Sequence, residues 1–221
     1  MQSAKVAIVI PAYNEAQAIA QVVLELSVYG TPIVVNDGST DNTEQLALDA
    51  GAIVVSHGLN CGYDKALASG LERAISEGFD FAVTADGDGQ HQPKNFETFL
   101  NKLSDGADLV VGIRDRFQRP SEVLFALFAK LIWSVSDPLC GMKGYRLSKL
   151  KHVGSLHCYP SIGTELLIRA VRSDWNVKQV PVGTRDRKGR SRFGAGLYAE
   201  LLILKAMLLG LFFAKAYDID H

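Results

Sequence analysis

At 221 residues, with 48% hydrophobic and 21% charged side chains, the chain can build one domain with a sizeable core and is too apolar to be disordered. Its 23 Lys and Arg against 24 Asp and Glu give a formal charge of -1, which excludes a generic polyanion binder and requires any anion site to be concentrated in one place. Cys61, Cys140 and Cys158 are odd in number and show neither CxxC nor CxxH spacing, which argues against a disulfide framework and against a zinc site.

The first apolar run, VAIVI at 6–10, is too short for a signal-peptide core and predicts a cytoplasmic protein. Further β-branched runs follow at 32–35 (PIVV), 52–55 (AIVV), 81–85 (FAVTA) and 108–112 (DLVVG). Segments of helical period lie between them, near 15–29, 41–50, 63–77 and 94–104. Apolar strands separated by crossovers long enough for a helix predict an α/β fold, with a mostly parallel central sheet and helices on both faces. After them come an apolar segment at 123–133, a turn-rich stretch SDPLCGMKGYR, a helix near 162–173 and a strand at 176–182. A basic loop RDRKGRSRFG then leads into a terminal helix from about 197. No linker is visible, so residues 1–196 read as one domain and 197–221 as a C-terminal amphipathic helix and tail. The apolar stretch 201–214 is broken by Lys205 and is shorter than the ~20 residues that span a bilayer, although it could lie on one.

Ligands of open parallel sheets bind at the carboxyl ends of the strands, and here those ends are polar: PAYNE at 11–15, NDGSTD at 36–41 and DGDGQH at 86–91. Neither GxGxxG nor GxxxxGK[ST] is present, which removes the two default nucleotide folds. Asp86 and Asp88 form an acidic turn after a buried strand. Such a turn suits a hard divalent cation with diphosphate oxygens, or else is a solvated turn. Arg185, Arg187, Lys188, Arg190 and Arg192 crowd one loop. They could clamp a diphosphate, meet lipid headgroups, or simply be solvated. Without interleaved aromatic platforms, nucleic acid is not the expected partner.

The order VIPAYNE, VVNDGSTDNT, ADGDGQHQP, VGIRDRF, GTELLIRA, VPVGTRDRKGRSRFG resembles family 2 glycosyltransferases of the GT-A fold, over residues 5 to about 196. It is most similar to the branch of dolichol-phosphate mannose synthases and bacterial polyprenyl-phosphate sugar transferases. The resemblance implies that Pro11, Ala12, Tyr13 and Glu15 line the nucleoside pocket and that Asp37 takes a hydrogen bond from the base. It implies that Asp86 contacts the sugar or ribose, that Asp88 and Gln90 hold Mg or Mn, and that Arg114 approaches the phosphates. Arg187, Arg190 and Ser191 fall in the diphosphate-binding loop, where one residue fewer than the usual RxxGxS spacing leaves Arg185 or Arg187 as the phosphate ligand. Three further features depart from the family: NCGYDKA at 60–66 stands where NxGxGxA is usual, the Asp137 segment carries Leu139, Cys140 and Met142, and the chain lacks the paired membrane-spanning helices of many bacterial relatives. Glu165 reads either as an acceptor-side carboxylate or as a favourable charge at a helix start, and His91 either as a support to the metal turn or as structural.

The expected activity is therefore metal-dependent, inverting transfer of a hexose-type sugar from a nucleotide-diphosphate donor to a polyprenyl phosphate or related lipid-linked acceptor. It would take place peripherally at the inner face of the cell membrane, and copies of the chain could associate. An acceptor phosphate needs no general base, whereas an acceptor hydroxyl would need one, with Asp137 the candidate. The alternatives are a soluble transferase acting on an oligosaccharide or small hydroxylated acceptor, and a nucleotide-sugar-binding module without turnover.

Overall fold

The strands form where β-branched residues alternate between two apolar layers. In β1 (Val6–Ala12), Ala7 and Val9 belong to one buried cluster and Ile8 and Ile10 to the other, so both faces of the strand are covered. The computed structural model describes residues 4–87, 94–117, 119–153, 162–183, 200–201 and 203–208. Beyond β1, the strands are β2 (Thr31–Asn36), β3 (Ile53–Ser56), β4 (Phe81–Thr84), β5 (Leu109–Arg114), β6 (Lys143–Arg146) and β7 (Val177–Val182). They form a seven-stranded sheet in the order β3-β2-β1-β4-β6-β5-β7, parallel except for β6, which runs antiparallel to both neighbours.

The crossovers carry α1 (Ile19–Leu26), α2 (Thr43–Asp49), α3 (Tyr63–Ser76), α4 (Lys94–Ser104), α5 (Pro120–Trp133), α6 (Leu147–Leu150) and α7 (Ile162–Arg172). In α1 the buried Ile19, Val22, Val23 and Leu26 recur at helical spacing and cover one face of the sheet together with Phe96 and Phe99 of α4. Leu67 and Leu71 of α3, Phe125 of α5 and Leu166 of α7 cover the other face. Helix α3 lies so close to the sheet that a Cβ on Gly70 would stand 2.4 Å from Val9 Cγ1, so glycine is required there by contact.

Among the described residues the predicted elements are present, the short α6 is added, and two further differences stand out. Helix α1 begins at Ile19, later than the expected 15, because Asn14 turns the chain at φ 55° and the Glu15 carbonyl first accepts the Ala18 and Ile19 amides (3.0 and 2.9 Å). The turn-rich stretch before residue 147 contains β6, which pairs Tyr145 with Ala82 and with Leu109. Four residues, KGYR, with no alternation in burial give a strand no local signature; pairing on both sides makes it one.

Residues 200–201 and 203–208 are helical. Ile203 and Ala206 are buried in the α3–α5–α7 layer, whereas Leu201 and Leu208 are 57% and 50% exposed. The expected boundary near 196 lies outside the described residues.

Candidate active site

All strands except β6 end at one edge of the sheet, which gathers the polar segments that follow them. At the end of β1, Pro11 and Ala12 are buried, but Tyr13 is 46% exposed and so presents its ring outside the core. The loop after β1 is cross-linked to the loop after β2. The Asn14 amide donates to Ser39 Oγ (3.0 Å), the Glu15 amide to Thr43 Oγ1 (2.8 Å) and the Ala16 amide to Asp41 Oδ2 (3.2 Å). PAYNE and NDGSTD are therefore one structural unit. Burial acts to raise the Asp41 pKa, but the Thr43 hydroxyl and the Thr43 and Ala16 amides outweigh it and hold the carboxyl below its ordinary range.

Asp37 is buried at the end of β2, with its amide bonded to Ala12 O (2.9 Å). Its Oδ1 accepts the Cys61 amide (2.9 Å) and faces His57 Nδ1 (2.7 Å), while Oδ2 accepts the Gly62 amide (2.8 Å). A carboxylate offers about four lone-pair sites, so these bonds leave one free. Among the described residues, Asp37, His57 and Cys61 bring three metal-ligand atoms within 4.8 Å of one another. Two ligands of one tetrahedral ion stand roughly 3.3 Å apart when each bond is about 2.0 Å. The 2.7 Å contact between Nδ1 and Oδ1 is instead a hydrogen bond, so the trio does not fit an ion as it stands.

Asp86, half-buried, follows β4. A Cβ on the adjoining Gly87 would lie 3.2 Å from Pro11 O and 3.5 Å from Glu15 Cγ, so this turn abuts PAYNE. On its other side the Asp86 carboxylate meets the 137–141 loop, where a Cβ on Gly141 would stand 3.2 Å from Asp86 Oδ1. The Thr84 hydroxyl donates to Gly141 O (2.6 Å) and accepts the Lys143 amide (2.9 Å). The buried Lys143 ammonium donates to the carbonyls of Pro138 (3.2 Å) and Cys140 (2.5 Å). The loop beside Asp86 is thus fixed at both ends.

The same loop begins at Asp137, which is 0% exposed. Its Oδ2 accepts the Arg114 amide (3.1 Å) and Nε (2.8 Å), and its Oδ1 accepts Arg114 Nη2 (2.9 Å). Glu122 Oε2 stands 3.4 Å from Arg114 Nη1, and the guanidinium lies over Phe117, 5.6 Å from the ring centre. Burial works against the Arg114 charge, but the Asp137 hydrogen bonds and the Asp137 and Glu122 charges outweigh it and hold its pKa above the ordinary range. Burial, reinforced by Asp137, pushes the Cys140 thiol up to about 12, so it is no nucleophile at neutral pH. The expectation that Asp137 serves as a base meets an obstacle here, because the carboxylate is fully buried and both its oxygens are engaged by Arg114.

Glu165 pairs with Arg169 one turn along α7 (2.5 Å); burial raises its pKa and Arg169 opposes the rise. Asp64, one of the residues departing from the family pattern, accepts the Ile162 amide (3.1 Å) and ties α3 to α7. Its neighbour Tyr63 lines a small cavity with Cys140, Lys143 and Thr164. Asp88, Gln90, His91, Arg185, Arg187, Lys188, Arg190, Ser191 and Arg192 lie outside the described residues. His57, Thr84, Glu122 and Lys143 were not singled out from sequence. His57 follows a predicted strand, so inspecting the third strand end as the others were inspected would have found it.

Residues 7–154 match glycosyl transferase family 2. The dolichyl-phosphate hexose transferase of Haloferax volcanii is 28% identical over 218 residues, covering 91% of this chain and 93% of that one. The undecaprenyl-phosphate mannosyltransferase of Micrococcus luteus is 25% identical over 225 residues, covering 90% and 91%. Among solved structures, glucosyl-3-phosphoglycerate synthase from Mycobacterium tuberculosis, in complex with Mn2+, UDP and glucosyl-3-phosphoglycerate, superposes with a TM-score of 0.73 at 26% identity. That superposition covers 93% of this chain and 80% of that one, and the shared fold is of the GT-A type.

Proposed function

The chain belongs to glycosyl transferase family 2, and on that footing we propose that it transfers a hexose-type sugar, with inversion, from a nucleotide-diphosphate donor to a polyprenyl phosphate or related lipid-linked acceptor. The observation that carries this reading is the continuous arrangement along one sheet edge, where PAYNE, Asp37, Asp86 and the Arg114–Asp137 pair are joined by the two cross-linked loops and by the fixed 137–141 segment. The names of the relatives support the acceptor: one is a dolichyl-phosphate and one an undecaprenyl-phosphate sugar transferase.

In this reading Tyr13 and its neighbours receive the nucleoside, Asp37 accepts a base N–H, and Asp86 faces the sugar. An acceptor phosphate oxygen forms a bond to the anomeric carbon as the bond to the nucleoside diphosphate oxygen breaks on the opposite face. The electron pair leaves with the diphosphate. Asp88 and Gln90 would hold Mg or Mn, which would supply positive charge for the leaving group; carboxylate and amide oxygens suit such hard cations. Arg114, oriented by Asp137, adds positive charge near the phosphates, and Arg187, Arg190 and Ser191 supply further donors. An ionised phosphate needs no base, which agrees with the burial of Asp137.

Peripheral membrane association is supported by the outer face of α5, where Leu124, Leu127 and Leu131 are 49%, 63% and 86% exposed. Among the described residues, no helix is long and apolar enough to cross a membrane. A second reading, transfer to a small hydroxylated acceptor, is favoured by the likeness to a synthase solved with glucosyl-3-phosphoglycerate.

A panel of UDP-, GDP- and dTDP-sugars, assayed with undecaprenyl phosphate and with phosphoglyceric acid, each with and without Mn or Mg, decides between them. Metal-dependent transfer to the lipid phosphate, abolished in Asp88→Ala, is expected. Transfer to phosphoglyceric acid alone establishes the second reading, and no turnover with any donor leaves a binding module.

A further inference from the structure

Behind Asp37 stands a row of side chains that starts on the sheet and ends on a helix. His57, the first residue past β3, places Nδ1 2.7 Å from Asp37 Oδ1 and Nε2 3.0 Å from Ser69 Oγ on α3. A carboxylate only accepts, so the ring nitrogen facing Asp37 is the donor, and in the neutral ring Nε2 then accepts the Ser69 hydroxyl proton. The His57 backbone is held too, its amide donating to Asn36 O at 2.9 Å. The other two partners of Asp37, the Cys61 and Gly62 amides, belong to the loop between β3 and α3, a segment that the carboxylate itself helps to hold. His57 is the partner whose place is set independently, by a strand end on one side and a helix on the other.

We propose that His57 is a positioning residue for the donor base. Braced by Ser69 at Nε2, it holds the Asp37 carboxylate in the rotation that offers its remaining lone pair to a ring N–H of the base, as an imide or lactam base presents. The proposal rests on the reading of Asp37 as the base acceptor. It assigns to a half-buried imidazole the role that an orienting carboxylate or carbonyl has behind many functional side chains, with the order of the partners reversed.

The test uses full-length His57→Asn, His57→Gln, Ser69→Ala and Asp37→Asn. Isothermal titration with UDP, GDP and dTDP in the presence of Mn gives affinity, steady-state transfer separates donor KM from kcat, and thermal melts report folding. Asparagine puts an amide N–H near the place of Nδ1, whereas glutamine reaches toward that of Nε2. His57→Asn should therefore keep nucleotide affinity within about threefold. His57→Gln should lose about tenfold, or about 1.4 kcal/mol, seen as a higher donor KM with kcat little changed. Ser69→Ala should lose about threefold, the smaller effect of removing one bond that orients the ring. Wild-type affinity in His57→Gln overturns the proposal, as do equal losses in the Asn and Gln variants that follow equal losses in melting temperature. If Asp37→Asn binds every nucleotide as the wild type does, the base-acceptor reading fails and the proposal with it. Loss in Asp37→Asn beside normal binding in His57→Gln overturns the positioning role alone.

Discussion

Replacing Asp137 by alanine leaves the Arg114 guanidinium, whose side chain is 19% exposed, without the carboxylate that accepts its Nε and Nη2 protons. Breaking a buried pair by removing one partner costs about 3–5 kcal/mol. Glu122 Oε2 remains 3.4 Å from Nη1 and keeps part of the compensation, which places the expected loss near the lower end, about 3 kcal/mol. For a protein of this size each kcal/mol lowers the melting temperature by about 2–4 °C, so Asp137→Ala should melt about 6–12 °C below the wild type. Circular dichroism melts of Asp137→Ala, Arg114→Ala and the double variant close the cycle. The double variant should be more stable than the sum of the single losses by at least about 2 kcal/mol, since removing both partners leaves neither Arg114 nor Asp137 as an uncompensated charge, while Glu122 keeps Arg119 at 3.4 Å. Transfer should fall in Asp137→Ala even at temperatures where it is folded, because Arg114 is no longer oriented. A melt within about 1 °C of wild type, or additive single losses, would refute the coupling and with it the positioning of Arg114 by Asp137.

Gly141→Ala should lower kcat about tenfold, a barrier increase of about 1.4 kcal/mol, with folding preserved, because the new methyl stands 3.2 Å from Asp86 Oδ1 and must move that carboxylate. Steady-state kinetics beside a melt checks this, and an unchanged kcat would remove Asp86 from the reacting centre. The depressed Asp41 pKa means that its link between the first two loops stabilises above the unfolded value of 3.8 and is lost as pH falls through the lower folded value. Melts of Asp41→Asn between about pH 2 and 6 should therefore show a shallower acid slope than the wild type; equal slopes would show that the link carries no stability. Leu124, Leu127 and Leu131 changed together to serine should reduce liposome flotation and transfer to a lipid acceptor while donor hydrolysis persists. Phe128 is left in place in that variant because its ring packs edge-on against Trp133 at 5.6 Å.

The parallel strands and the helices between them are legible in the chain itself, because burial on both faces demands the β-branched runs and one-sided burial demands spacings such as Ile19, Val22, Val23 and Leu26. The location of the candidate site is legible for the same reason: once strand ends are known, the polar residues after them share an edge. Strand β6 was not legible, since KGYR becomes a strand only by lying between β4 and β5. The partners of the site residues were not legible either. Asp37 meets His57, and Arg114 meets Asp137, across separations of 20 and 23 residues. Sequence supplied each of these carboxylates as a candidate, one for the base and one for proton transfer. Tertiary structure shows that the first is held by a histidine just past the next strand and that the second is buried, with both its oxygens engaged by an arginine. Periodicity is dictated by short-range sterics and by the need to bury one face, so a single segment carries it. The partner of a charged group depends on which distant segment the packed sheet brings to within about 3 Å, and no local pattern encodes that distance.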